Sequence, residues 1–163
     1  MKITLQRACV FIALLCASPL SAQSYAEFQQ EQDPARKAGL GLELWNYYLR
    51  NDLDSLKILG VELMLYAAEE RHPLSKAVGQ HALGSYLIRS GEIQKGLFHL
   101  SEAKNYYTQR EDYDQLSIAY NEMGNARFLQ GKYHESIKMY LSSLNYGAKA
   151  PDRTNAFNAK IGL

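Results

Sequence analysis

From Pro34 onward, apolar residues recur every three or four positions in long runs separated by short polar turns. This spacing predicts helices over 34–50, 53–71, 73–90, 92–108, 112–130 and 133–146, and nowhere does the two-residue alternation of a strand occur. Asp33-Pro34 reads as a helix start, because aspartate accepts from the free amides of a first turn and proline is tolerated at its first position. His72-Pro73 marks a break and restart, and Gly147 a helix end. The runs also restate one another. Asn51-Asp52-Leu53, Gly91-Glu92-Ile93 and Gly131-Lys132-Tyr133 recur at a spacing of 40, as do Tyr66, Tyr106 and Tyr146, and Asn105 is echoed by Asn145. Such a period predicts pairs of helices whose apolar faces are covered by the next pair in line. The expected pairs are 34–71, 73–108 and 112–147. An incomplete fourth is expected over 152–163, where Ile161-Gly162-Leu163 echoes Met123-Gly124-Asn125.

The third pair is the clearest. Tyr120, Met123-Gly124, Gly131 and Tyr133, followed by Ser136 and Ser143, form a pattern that resembles the tetratricopeptide repeat. In that motif an aromatic precedes a Leu-Gly-type pair, a turn glycine follows, and small residues sit on the second helix. The second pair carries the same pattern as Leu83-Gly84, Gly91, Ile93, Gly96 and Ala103, with Gln80 in place of the aromatic. Helices approach closely only where side chains are short, so the first-helix glycine should face the small residues of the second. The first pair departs from this: Leu44, Leu56 and Leu63 stand at its three small positions, which predicts a wider or differently registered pair. The resemblance is to long-period bacterial members of the family, here an exported one. It implies an all-α, right-handed superhelical stack of antiparallel helical hairpins.

In that family the first helices of successive repeats line a concave groove. The resemblance implies His81, Ser85, Ile88 and Arg89 from the second pair, and Asn121, Asn125, Phe128 and Leu129 from the third. Trp45, Tyr48 and Leu49 follow less surely from the first. Asn125 is suited to hydrogen-bonding the backbone of an extended peptide. Capture of a peptide carboxylate would need several groove cations, and Arg89 alone is in place. Most of the tyrosines are read as packing groups, ring inside and hydroxyl at the edge.

Composition changes this picture mainly at the front of the chain. Lys2 and Arg7, the apolar run 8–15 and Pro19-Leu20-Ser21-Ala22 make a secretory signal peptide, with cleavage expected after Ala22. An uncleaved anchor is the alternative, although the run is shorter than the roughly 20 residues of a membrane span. Residues 23–33 are a lead segment in which Tyr25 and Phe28 could cover the first pair. Both cysteines, Cys9 and Cys16, lie within the signal, so a mature periplasmic or secreted chain would hold no disulfide. Removing Lys2 and Arg7 from 18 basic residues leaves 16 against 17 acidic. With no basic cluster, nucleic-acid binding has no support.

Chemistry finds little purchase. His81 and His99 fall on facing helices, but no third ligand completes a zinc set. Gly39-Leu40-Gly41 lies inside a helical run and is no phosphate loop. No cofactor, metal or catalytic residue is expected. The expected function is a non-catalytic scaffold binding a protein or peptide segment outside the cytoplasm. The alternative is the periplasmic sensor region of a longer signalling protein, a histidine kinase or diguanylate cyclase, as an incomplete last repeat would suit. Self-association through that repeat is a third possibility.

Overall fold

A computed structural model describes residues 19–150; the signal segment up to residue 18 and the expected fourth unit lie outside the described residues. Those residues form seven α-helices and no strand. They are α1 (Pro19–Gln30), α2 (Pro34–Asn51), α3 (Leu53–Glu70), α4 (Pro73–Arg89), α5 (Ile93–Gln109), α6 (Tyr113–Leu129) and α7 (Tyr133–Gly147). The boundary expected after Ala22 falls within α1. No helix among the described residues is long and apolar enough to cross a membrane.

The ends are set by local chemistry. Asp33 accepts from Arg36 N at 2.7 Å, Asp52 from Asp54 N and Ser55 N, and Asp112 from Gln115 N, so each satisfies amides that its helix leaves free. His72 does the same with its ring nitrogen, accepting from Ser75 N at 3.3 Å. The turns after α3, α4, α5 and α6 each hold one residue with left-handed backbone: Arg71 (φ 51°), Gly91 (φ 91°), Glu111 (φ 53°) and Gly131 (φ 73°). These lie at a spacing of 20, half the repeat, so both kinds of turn use one device. The first turn does not, since Asp52 is extended (φ −156°). Gly91 and Gly131, the turn glycines of the repeat pattern, meet nothing within 4 Å, so they serve the turn and not the helix packing. At Glu111 a side chain bears a conformation that favours glycine. Glu111→Gly is therefore expected to cost nothing or to gain up to about 1 kcal/mol, whereas Gly131→Ala should lose about 1 kcal/mol. Urea melts of the two variants check the contrast.

Each helix packs on its chain neighbours, most extensively α6 on α7, α4 on α5 and α3 on α4; α2 also reaches α4, and α4 touches α6. In the α6–α7 pair, Ser117 and Ser143 bond each other's carbonyls at 2.9 and 2.6 Å, and nearer the turn Ser136 donates to Gly124 O at 2.9 Å. Contacts that step toward the turn from both sides show that the two helices run antiparallel. Gly124 makes room for the Tyr140 ring, which a Cβ there would meet at 2.6 Å. In the α4–α5 pair Gly84 and Gly96 lie against each other: a Cβ on Gly96 would stand 2.8 Å from Gly84 O. Ala103, two turns further along α5, is buried in a cluster with Ala77 of α4.

The first pair is built otherwise. Leu44, Leu56 and Leu63 are all buried, in one cluster with Trp45, Tyr48, Val78, Tyr25 and Phe28. Its glycines are elsewhere. Gly41 gives way to Leu63, and Gly60 lies under Leu83 of α4 and beside Gly79. Close approach has thus moved from within the pair to the α3–α4 contact. Helix α1 closes the outer side: the Tyr25 hydroxyl donates to the Glu62 carboxylate at 2.8 Å. The Lys37 ammonium donates to Phe28 O and Glu31 O at 2.8 and 3.1 Å, capping the end of α1.

The repeating tyrosines take corresponding places. Tyr66 lies under the Lys37 ammonium, 5.0 Å from the ring centre; Tyr106 packs on a cluster containing Ala77; and Tyr146 stacks on Tyr120 at 5.3 Å. All three lie near the end of a pair's second helix, against the first. Tyr133 departs from the packing role that the repeat pattern assigns it. It is 61% exposed, its ring edge-on to Phe128.

Candidate binding cleft

Helices α4 and α6 touch, and between their C-terminal halves lies a cleft of about 290 Å³ lined by Ser85, Ile88, Arg89, Glu122, Asn125, Phe128 and Leu129. Helical spacing explains the lining. Ser85, Ile88 and Arg89 share one face of α4, as Glu122, Asn125, Phe128 and Leu129 do on α6. Phe128 and Leu129 are 56% and 62% exposed, so the wall is apolar and open to solvent. Asn125 is also exposed, and its side-chain carbonyl accepts from Tyr140 OH at 2.7 Å, which leaves its amide hydrogens free for the cleft.

Of the groove residues expected from sequence, Ser85, Ile88, Arg89, Asn125, Phe128 and Leu129 come together here. His81 does not line the cleft. It is fully buried because Trp45 lies on it, ring centres 4.7 Å apart, and Tyr107 flanks it at 5.8 Å. Trp45 and Tyr48 are core residues as well, and Leu49 packs against the same cluster. Asn121 is half-buried one helical turn before Asn125, and its Oδ1 is buried without a partner.

Sequence reasoning misses Glu122. It is only 9% exposed and forms the polar floor. Ser85 sits beside it as a junction: its hydroxyl receives Trp45 Nε1–H at 3.1 Å and lies in very short hydrogen-bond contact with Glu122 Oε2. His81 Nε2 is 3.9 Å from the same oxygen, too far to bond, and has no partner of its own. On its other side His81 Nδ1 meets Tyr107 OH at 3.4 Å. The sequence carries one signal for Glu122: it comes after Leu116 and Ala119 and precedes Ala126 on the inward stripe of α6.

Burial drives both titrations. It pushes the Glu122 carboxyl up to about 7, against smaller opposing effects of the Ser85 hydrogen bond and Arg89. It pulls the His81 imidazole down to about 3, so the pair is no ion pair near neutrality. The two bend stability in opposite directions. Unfolding lets His81 take up a proton below pH 6.5, so its contribution to stability is lost as pH falls from there to about 3. Glu122 releases a proton on unfolding above pH 4.5, so its contribution is lost as pH rises from there to about 7. Between pH 4.5 and 6.5 the slopes oppose each other. Glu122→Gln removes one of them, and its gain over wild type should grow from nil near pH 4 to about 2–3 kcal/mol at pH 8. Chemical melts at those two pH values check the difference.

No protein-family model, curated protein or solved structure matches this chain.

Among the described residues there is no group of three or more His, Cys, Asp or Glu placed to hold a metal ion. His99, which faces α4 as expected, contacts the Gln80 side chain. What the cleft offers is an apolar wall, a free amide on Asn125, a cation at the rim on Arg89 and a carboxyl at the floor.

Proposed function

We propose that this chain is a non-catalytic scaffold of the tetratricopeptide type, whose helical hairpins form a right-handed superhelical stack and bind an extended peptide or protein segment between α4 and α6. One observation carries the reading. Residues from two first helices, one repeat apart, converge on an open cleft, with Ser85 and Asn125 at equivalent positions. Exposed Phe128 and Leu129 would be poor choices for a surface that binds nothing, since apolar area gains free energy only when covered. The nearly balanced charge of the chain favours a peptide over a polyanion. Export through a cleaved signal peptide, and hence a periplasmic or secreted location, is part of the same proposal.

Displayed random peptides selected on the protein, with counter-selection on the Phe128→Ala/Leu129→Ala double variant, test it. The expected result is a set of sequences retained by wild type and depleted at least tenfold by the variant, as loss of about 1.4 kcal/mol from two truncated contacts would give. Equal retention by both proteins would place binding elsewhere. The periplasmic sensor alternative shares this cleft and differs only in having a signalling domain C-terminal to the repeats, so the same selection serves both.

A further inference from the structure

The cleft floor holds a carboxyl that Ser85 satisfies only in part. The hydrogen bonding of Glu122 runs through Oε2 alone, to Ser85, and Oε1 has no partner among the described residues. Behind the floor, outside the cleft lining, His81 Nε2 stands 3.9 Å from Glu122 Oε2 without a hydrogen bond. A carboxylate short of donors is best served by a group with several N–H bonds. No side chain among the described residues supplies it. Arg89, the one cation lining the cleft, is exposed at the rim and makes no ion pair with Glu122. Arg89 therefore offsets the charge of the floor carboxyl only in part.

We propose that the cleft takes a cationic side chain, an ammonium or guanidinium carried on an apolar stem, whose head meets Glu122 while Ile88, Phe128 and Leu129 cover the stem. The inference rests on the binding function proposed above and names the chemistry of its ligand. Amphipathic cations bury their methylene stems readily, and a multi-donor head suits the Glu122 carboxylate. The Asn125 amide is left to hold the backbone of the same peptide. Binding also draws a proton from Glu122. The groups that face this carboxyl are His81 and Arg89 from α4, with Tyr107 of α5 behind His81; Trp45 of α2 is without charge, and Tyr140 of α7 is engaged by Asn125. Of these only Glu122 changes charge between pH 5.5 and 8, so affinity for a cation should rise over that window.

Arrayed heptapeptides with randomised flanks and a central lysine, norleucine or glutamate provide the test, read with the full-length protein at pH 5.5 and pH 8. At pH 8 the lysine set should retain on the order of tenfold more protein than the norleucine set, the worth of a hydrogen bond to a charged group. At pH 5.5 that preference should shrink to about threefold or less. Glu122→Gln, which keeps the shape and relieves a buried carboxyl, should erase it at both pH values. Arg89→Ala should keep it or increase it. Equal retention of lysine and norleucine sets would overturn the inference and leave the groove reading standing. Preference for the glutamate set, or loss of the lysine preference in Arg89→Ala, would assign the cleft to Arg89 and overturn it as well. Retention of no peptide at all would remove the groove reading and this inference together.

Discussion

Trp45→Ala is expected to lower stability by about 4 kcal/mol, near the upper end for loss of a large buried aromatic. Trp45 is 4% exposed and belongs to the first helix pair, yet its ring lies on His81 and its indole N–H bonds Ser85, both of the second. Truncation would open a cavity between the pairs. It would also leave the Ser85 hydroxyl one partner short above a buried carboxyl. For a folded part of about 130 residues the melting temperature should fall by roughly 12–16 °C, read by circular dichroism. Trp45→Phe keeps most of the volume and loses the N–H, so about 1–2 kcal/mol is expected. A Trp45→Ala loss no greater than that of Trp45→Phe would mean that the interface relaxes and the cavity closes.

The second large effect is steric. A Cβ on Gly96 would stand 2.6 Å from Ile88 Cγ1, 2.8 Å from Gly84 O and 2.9 Å from Ile88 N. Two of those neighbours are backbone, so the clash cannot be relieved by turning a side chain. Gly96→Ala should therefore cost about 3 kcal/mol despite the roughly 1 kcal/mol that alanine gains in helix propensity. The control is Gly39→Ala in α2, where nothing lies within 4 Å and the propensity gain should show by itself. Thermal melts of the two variants should move in opposite directions. Parallel shifts would show that the α4–α5 contact is looser than the glycines indicate.

These sites also show how far the sequence could be read. Glycine inside a helix is costly, so Gly84, Gly96 and Gly124 had to be offset by close packing, and their partners followed from the repeat. Helix limits were legible to within a residue or two because Asp33, Asp52, His72 and Asp112 cap through their own side chains. The first pair was not legible. Leucines at 44, 56 and 63 signalled a departure, but the relief comes from Gly41 and Gly60. Gly60 is filled by Leu83 from the next pair, a contact that no spacing within one repeat reveals.

The cleft divided in the same way. The groove positions that the tetratricopeptide resemblance implies on α4 and α6 included Ser85, Ile88, Arg89, Asn125, Phe128 and Leu129, and these line the cleft. His81 lies on the same face of α4 as Ser85, one turn earlier, and is covered only because an aromatic from the preceding pair reaches over it. Glu122 escaped notice because a glutamate in a helix is ordinarily solvated. Its burial depends on Ser85, a residue 37 positions away that meets it only after folding. Buried polar groups brought together from different elements are the features that local pattern encodes least.

The central claim is that α4 and α6 jointly present one peptide-binding surface. Backbone amide shifts of the isotopically labelled protein, followed while a selected peptide is titrated in, test it most directly. The account predicts that perturbations concentrate at Ser85, Ile88, Asn125, Phe128 and Leu129, with a second, smaller set at His81 and Trp45 transmitted through Ser85. Shifts confined to one of the two helices, or centred on the exposed outer faces of α3 and α5, would contradict it.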